Sequence, residues 1–172
     1  MRILMMLLIL AFSVTGCSLF SGGPGDTGSK RDSSDKNEQV AAFLDAGRGK
    51  AALVVANELV EEAPDDYGSY LTRNTVHLVL RDYPSAQADN EKALETYNAS
   101  MLRYPEKERS YRLAKIHESM ALTALLASRR ATDEAQRKSL EAKYAEHAEL
   151  VRQLDEETWK NLRGLAGEKV AE

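Results

Sequence analysis

The chain has few of the residues that cross-link a small protein or interrupt its helices. One cysteine among 172 residues excludes an intrachain disulfide. Only four prolines occur, and Pro64, Pro84 and Pro105 each separate runs rich in Ala, Leu, Glu, Lys and Arg. These residue types favour helices, and no alternation of apolar and polar residues predicts a strand. The sequence therefore predicts an all-α domain over residues 37–172.

A long apolar run is also missing. A membrane-spanning helix needs about 20 apolar residues, whereas the run that starts at Ile3 breaks at Ser13. Arg2 precedes the run and small residues follow it, which is the order of parts in an export signal. We therefore expect this segment to be removed rather than retained.

The segment ends in Val14, Thr15, Gly16 and Cys17, which resemble the lipobox of bacterial lipoproteins. The resemblance implies that residues 1–16 are a signal peptide. It also implies that Cys17 carries diacylglycerol and, on its new amine, an acyl chain such as palmitate. Several acyl chains give stable membrane anchoring where one would be marginal. The alternative is an ordinary secretory signal that ends in a chance cysteine.

Ser18 follows the cysteine where the inner-membrane retention signal of the same family has Asp. The resemblance thus implies an outer-membrane anchor with the domain in the periplasm, and the inner membrane is the alternative. Residues 17–36 are rich in Gly, Ser and charged residues. Such a segment cannot bury enough apolar surface to offset its conformational entropy, so we expect a flexible tether.

Charge further narrows the class of partner. The formal net charge is −4 at pH 7, and a mild acidic excess argues against nucleic acid. Envelope proteins, together with the membrane through the lipid, are the partners we expect.

An internal repeat is visible in the first half of the domain. Ala52 and Ala86 lie 34 residues apart in similar surroundings, and the pattern resembles the tetratricopeptide repeat (TPR). The resemblance implies a short solenoid of stacked antiparallel helical hairpins. Asn90 and Asn98 depart from the pattern, and helical hairpins with chance spacing are the alternative. The residues that match are Gly47, Ala52, Ala56, Leu59, Pro64, Tyr70, Ala86 and Ala93.

Periodicity and end signals predict six helices: 37–46, 50–62, 67–81, 85–103, 106–128 and 133–165. In the fifth, residues 120–127 are apolar in nearly every direction, so we expect this helix to be central and covered on both sides. The sixth has only a thin apolar stripe from Leu140 to Leu154, which could close within the monomer or pair two chains. Trp159 lies C-terminal to this stripe, and it either caps the end of the solenoid or contacts a partner.

Catalytic patterns are absent from the sequence. His77, His117 and His147 fall on three different predicted helices, so we expect chance scatter rather than a metal site. No serine stands in a nucleophile context and no glycine loop follows a strand. We therefore expect no enzyme activity, no metal and no cofactor.

Stacked helical hairpins use a concave surface for recognition, lined by the first helix of each pair. We therefore favour a lipid-tethered scaffold or assembly factor that binds another envelope protein. The alternative is a transporter-associated helical lipoprotein that binds a small ligand in a cavity beside the fifth helix. The candidate binding residues are Tyr70, Arg73, Asn74, His77, Arg81, Tyr111, Arg112 and Lys115.

The lipidation hypothesis makes a direct prediction. Cys17→Ser removes the only thiol, so the variant should keep its signal peptide and lose the mass of the acyl chains. Mass spectrometry of the purified wild-type and variant chains measures both effects. A wild-type protein that is cleaved but has an unmodified thiol would contradict the hypothesis.

Overall fold

The computed structural model describes residues 27–168, with side chains from Asp35 onward, and it contains seven α-helices and no strand in this range. The helices are α1 (Thr27–Asp45), α2 (Gly49–Glu62), α3 (Tyr67–Leu80), α4 (Tyr83–Ser100), α5 (Glu106–Ser128), α6 (Glu134–Leu154) and α7 (Glu156–Ala166). A 3₁₀ turn, Met101–Arg103, follows α4. The all-α prediction is confirmed, and the predicted count of six helices is wrong. The predicted signal peptide, Cys17 and residues 18–26 lie outside the described residues.

The first helix begins at Thr27, ten residues before the predicted start at residue 37. Residues 27–36, which we expected to belong to the tether, are therefore helical. Once a helix has nucleated, each further residue adds one hydrogen bond, and residues 29–36 contain no proline or glycine to stop it. Lys36 in this helix contacts α2, because its Nζ lies 3.1 Å from Glu58 and 2.6 Å from Glu62.

The predicted sixth helix is divided at Asp155. This residue has extended backbone angles (φ −157°, ψ 112°), and its carboxylate accepts a hydrogen bond from Thr158 N at 2.7 Å. Asp is among the best N-cap residues, and Glu156 and Glu157 suit the positive end of the new helix. The sequence therefore carries the signal for the break, directly after the apolar stripe ends at Leu154.

Turn residues follow the predicted chemistry elsewhere. Gly47 has a positive φ of 70° between α1 and α2, where a residue without Cβ is favoured. Pro64 stands two residues after the end of α2, and Pro84 lies in the first turn of α4. Arg81 adopts the left-handed conformation at φ 65° and joins α3 to α4.

Each helix contacts the next in the chain, and α1–α3, α3–α5 and α5–α7 also contact each other. The short turns between successive helices up to α6 place neighbours side by side in opposite directions. The predicted central position of the fifth helix is confirmed, because α5 contacts α3, α4, α6 and α7. Among the described residues, no helix is long and apolar enough to cross a membrane.

The apolar core is divided among three clusters along the stack. The first joins α1, α2 and α3 around Leu59 and Val76, and the second joins α3, α4 and α5 around Tyr97 and Ile116. The third joins α5, α6 and α7, and Trp159 packs against it. The predicted close-approach positions are confirmed as fully buried, which fits helices that pack tightly there; they are Ala52, Ala56, Ala86 and Ala93.

The cap at Asp155 yields a stability prediction. Asp155→Ala should lower the free energy of unfolding by about 1 kcal/mol, because the amide of Thr158 loses its partner. Asp155→Asn is the matched control, since it removes the same charge but keeps a capping oxygen. Urea denaturation measures both variants, and an equal loss in Ala and Asn would contradict a capping role.

Candidate functional site

Two of the predicted binding residues on α3 lie in the interior. Tyr70 is 6% exposed and its hydroxyl donates to the Pro64 carbonyl at 3.1 Å. Asn74 is 0% exposed. Their contacts in this structure are therefore internal, and neither side chain is presented to a partner.

Asn74 belongs to a buried polar network that joins α3, α4 and α5. Its Nδ2 donates to the Ala86 carbonyl at 2.7 Å and to Thr123 Oγ1 at 3.2 Å, and its Oδ1 accepts from Ser119 Oγ at 2.9 Å. Asn90 Nδ2 donates to the same Thr123 oxygen at 2.9 Å. Both asparagines thus meet at the Thr123 hydroxyl.

Arg73 and His77 meet one acidic residue on α4. The Arg73 guanidinium donates to both oxygens of Asp89 over 2.6–3.1 Å, and Asp89 is only 3% exposed. This bidentate pair satisfies a carboxylate that would be costly to bury alone. His77 Nε2 lies 3.7 Å from Asp89, and its Nδ1 lies 3.6 Å from Asp82. Arg81 is exposed at the turn that follows.

The predicted residues on α5 are more accessible. Tyr111 is 42% exposed, and Arg112 and Lys115 are half-buried. Arg112 Nη1 donates to the Tyr67 hydroxyl at 3.1 Å, and its guanidinium lies 4.3 Å from the centre of the Tyr104 ring. Lys115 forms an ion pair with Glu118, which is 4% exposed. Of the eight candidates, Tyr111 is the aromatic residue that the structure leaves at the surface.

A groove of about 490 Å³ lies between α4 and α6, over the C-terminal half of α5. We call it the α4–α6 groove. Its volume is within the range of small-molecule sites, roughly 300–1,000 Å³. The part of its lining that concerns its chemistry comprises Gln87, Asn90 and Glu91 on α4, Met120, Thr123, Ala124 and Ala127 on α5, Arg130, Ala131 and Thr132 in the turn, and Gln136, Leu140, Lys143, Glu146 and His147 on α6.

Apolar residues of α5 and α6 form the middle of this groove, and charged residues lie towards its two ends. A cavity beside the fifth helix was expected only under the transporter-associated alternative, and none of the groove's polar residues was among the predicted site residues. They are far apart in the sequence and come together only because α4 and α6 pack on opposite sides of α5. The apolar residues 120–127 and the apolar stripe that starts at Leu140 were the sequence features that could have indicated this groove.

Two of the three histidines stack where α5 packs on α6, which corrects the expectation that all three are scattered. The rings of His117 and His147 have centroids 5.3 Å apart and an interplanar angle of 21°. Burial lowers the pKa of His117, and nearby His147 lowers it further. Burial also lowers the pKa of His147, and Lys143 acts in the same direction, whereas Glu146 opposes the shift.

Glu118 is the most deeply buried carboxylate near this region. Burial raises its pKa, and the Lys115 ammonium opposes the shift without cancelling it. Its Oε1 has no hydrogen-bond partner, while Oε2 faces Lys115. Within residues 35–168, no group of three or more His, Cys, Asp or Glu side chains is arranged to hold a metal ion.

No protein-family model, curated protein or solved structure matches this chain.

The histidine pair predicts how stability depends on pH. A histidine with a lowered pKa in the folded state binds fewer protons there than in the unfolded chain, whose value is near 6.5. The stability that this adds is present above pH 6.5 and is lost as the pH falls below it. Thermal unfolding followed by circular dichroism should therefore show a lower Tm at about pH 5.5 than at about pH 7.5.

His147→Phe is the informative variant, because it keeps an aromatic ring against His117 but removes one titrating group. We expect a smaller drop in Tm between the two pH values than in the wild type. Glu118 titrates in the opposite sense, so the difference between wild type and variant is the relevant measure. Identical pH dependence in both proteins would contradict the role of the pair.

Proposed function

We propose that this protein is a membrane-anchored, periplasmic TPR-like lipoprotein that acts as a protein-binding scaffold or assembly factor in the cell envelope. The observation that supports it best is the contact pattern of the helices. The odd-numbered helices α1, α3, α5 and α7 contact one another in sequence, and each even-numbered helix up to α6 packs between its neighbours. In a helical solenoid, this alternation gives one face to the first helices of the hairpins, and that face is the recognition surface.

On that face, α5 contributes the surface residues best suited to contact a partner. Tyr111 is exposed, and Lys115 lies one turn further along the same side of the helix. Tyrosine anchors interfaces because it buries a large area and keeps a polar tip. Tyr70 and Asn74 serve this face indirectly, since they hold α3 against its neighbours.

The proposed location rests on the lipobox. A lipid on Cys17 would hold the helical domain at the outer membrane, facing the periplasm, with the inner membrane as the less favoured site. Residues 17–26, together with the N-terminal part of α1, would then separate the domain from the bilayer. A tethered scaffold gains from this arrangement, because anchoring raises its effective concentration near membrane-bound partners.

A second candidate function is favoured by the α4–α6 groove. A transporter-associated helical lipoprotein would need a concave site with an apolar floor and a few polar groups. The groove has such a floor in Met120, Ala124 and Leu140, beneath polar residues from three segments of the chain. In this function the groove binds a small ligand. The face formed by α1, α3, α5 and α7, which we call the odd-numbered face, is then free to contact a transporter.

The scaffold proposal is tested by chemical cross-linking in cells, followed by purification and mass spectrometry. A specific envelope protein should be recovered with the wild type, and Tyr111→Ala should reduce its yield by about tenfold. Val54→Ala is the matched control, since Val54 is an apolar residue on α2 that is 59% exposed. The control should leave the yield unchanged.

Two outcomes would contradict the proposal. Equal loss in Tyr111→Ala and Val54→Ala would show that recovery does not depend on the odd-numbered face. Undiminished recovery of the same protein with unlipidated Cys17→Ser would show that the anchor contributes nothing to the complex.

A further inference from the structure

We propose that the α4–α6 groove binds a short peptide of about three residues with a free amino group and a free carboxylate, lying along the groove with its carboxylate near Arg130. The inference rests on the second candidate function and names its ligand class. Four features of the groove support it: the charge at one end, the acceptors at the other, the apolar floor between them and the distance that separates the ends.

The end formed by the start of α4 and the turn before α6 is suited to a carboxylate. Arg130 is the only charged residue that lines the groove there, and it forms no ion pair among residues 35–168. The other lining residues at this end carry no charge; they are Tyr83, Pro84, Ala131, Thr132 and Gln136. A guanidinium with neutral polar neighbours binds a carboxylate through charge-assisted hydrogen bonds.

Helix dipoles do not reverse this assignment. The N-termini of α4 and α6 open at the same end and favour an anion, but their caps Asp82 and Asp133 already accept hydrogen bonds from backbone amides. The C-terminus of α5 lies there too and has the opposite sign. The carboxylates of Asp82 and Asp133 accept from these amides and do not line the groove, so Arg130 is the charged group that a ligand meets at this end.

The opposite end offers acceptors. Glu91 and Glu146 line it, against a single cation, Lys143, so its net charge is negative. Neither Glu146 nor Lys143 is in an ion pair within residues 35–168, and Glu91 accepts a hydrogen bond from Gln87 at 2.8 Å. An ammonium group is the complement of two carboxylates and a neutral amide oxygen.

That amide oxygen belongs to Asn90, which lines the groove and is 1% exposed. Thr123 determines its orientation, because the Thr123 hydroxyl donates to the Ser119 carbonyl at 2.8 Å and can only accept from Asn90. Asn90 Oδ1 is thereby left as the buried acceptor without a partner. Buried polar atoms are rarely left unsatisfied, and this one belongs to a residue that lines the groove.

The length and floor of the groove limit the size of the ligand. Tyr83 and Glu91 mark its two ends on α4, and eight residues of helix span roughly 12 Å. An extended chain covers about 3.3 Å per residue, so about three residues fit between the charged ends. Between them the floor is Met120, Ala124, Ala127 and Leu140, which favours an apolar central side chain.

The experiment uses the full-length lipidated protein in phospholipid nanodiscs, with Ala-Leu-Ala as the probe peptide. Titration followed by nuclear magnetic resonance should shift the methyl signals of Ala124 and Ala127, which places the peptide in the groove. N-acetylation or C-terminal amidation of the peptide should each weaken binding about tenfold, because each removes one charged end. A doubly blocked peptide, which mimics an internal segment of a protein, should bind weakest.

Variants assign each end of the peptide to its residues. Arg130→Gln should make the carboxylate and amide forms bind equally, and Glu91→Gln with Glu146→Gln should do so for the amine and acetyl forms. Arg137→Gln is the matched control, since this exposed arginine on α6 does not line the groove and pairs with Glu134. The control should keep the full preference for free ends.

Three results would overturn the inference: no binding of Ala-Leu-Ala, methyl shifts confined to other parts of the protein, or equal binding of free and doubly blocked peptides. The scaffold proposal is independent of all three, because its test measures partner recovery through Tyr111. Recovery of a partner without peptide binding would therefore reject the ligand class alone.

Discussion

The structure depends on covering one helix on almost every side. Residues 120–127 of α5 are apolar around nearly the whole circumference, so no orientation of this helix against a single neighbour would remove its surface from water. The chain meets this constraint by packing α3, α4, α6 and α7 around it. The third core cluster and the α4–α6 groove are consequences of the way these four helices share one partner.

Polar groups inside this arrangement determine how the helices align. Asn74, Asn90 and Thr123 form hydrogen bonds between α3, α4 and α5 in a region that apolar residues alone could also fill. Apolar packing tolerates small slides of one helix along another, whereas a buried amide has to meet its partner or lose the hydrogen bond. The bidentate pair of Arg73 with Asp89 acts in the same way between α3 and α4.

Helix boundaries were predictable wherever the backbone geometry of a single residue determines a turn or a helix start. Gly47, Pro64 and Pro84 act through their own backbone geometry, and the structure has turns or helix starts at these positions. The break at Asp155 was missed, although the apolar stripe ends at Leu154 and a good capping residue follows it. The roles of Tyr70 and Asn74 were not predictable, since a polar or aromatic residue on α3 fits a groove or an interior equally well until its neighbours are known.

The sequence by itself determined the helical class, the turns and the central place of α5, because propensity, capping and apolar periodicity act over a few neighbouring residues. It also supplied the resemblance to a lipobox at Cys17, on which the proposed location depends. Only the tertiary structure decided that His117 stacks on His147 and that Asn90 and Arg130 line one groove. These residues lie 30 to 40 positions apart, and their distances depend on how whole helices pack, a property that no local pattern encodes.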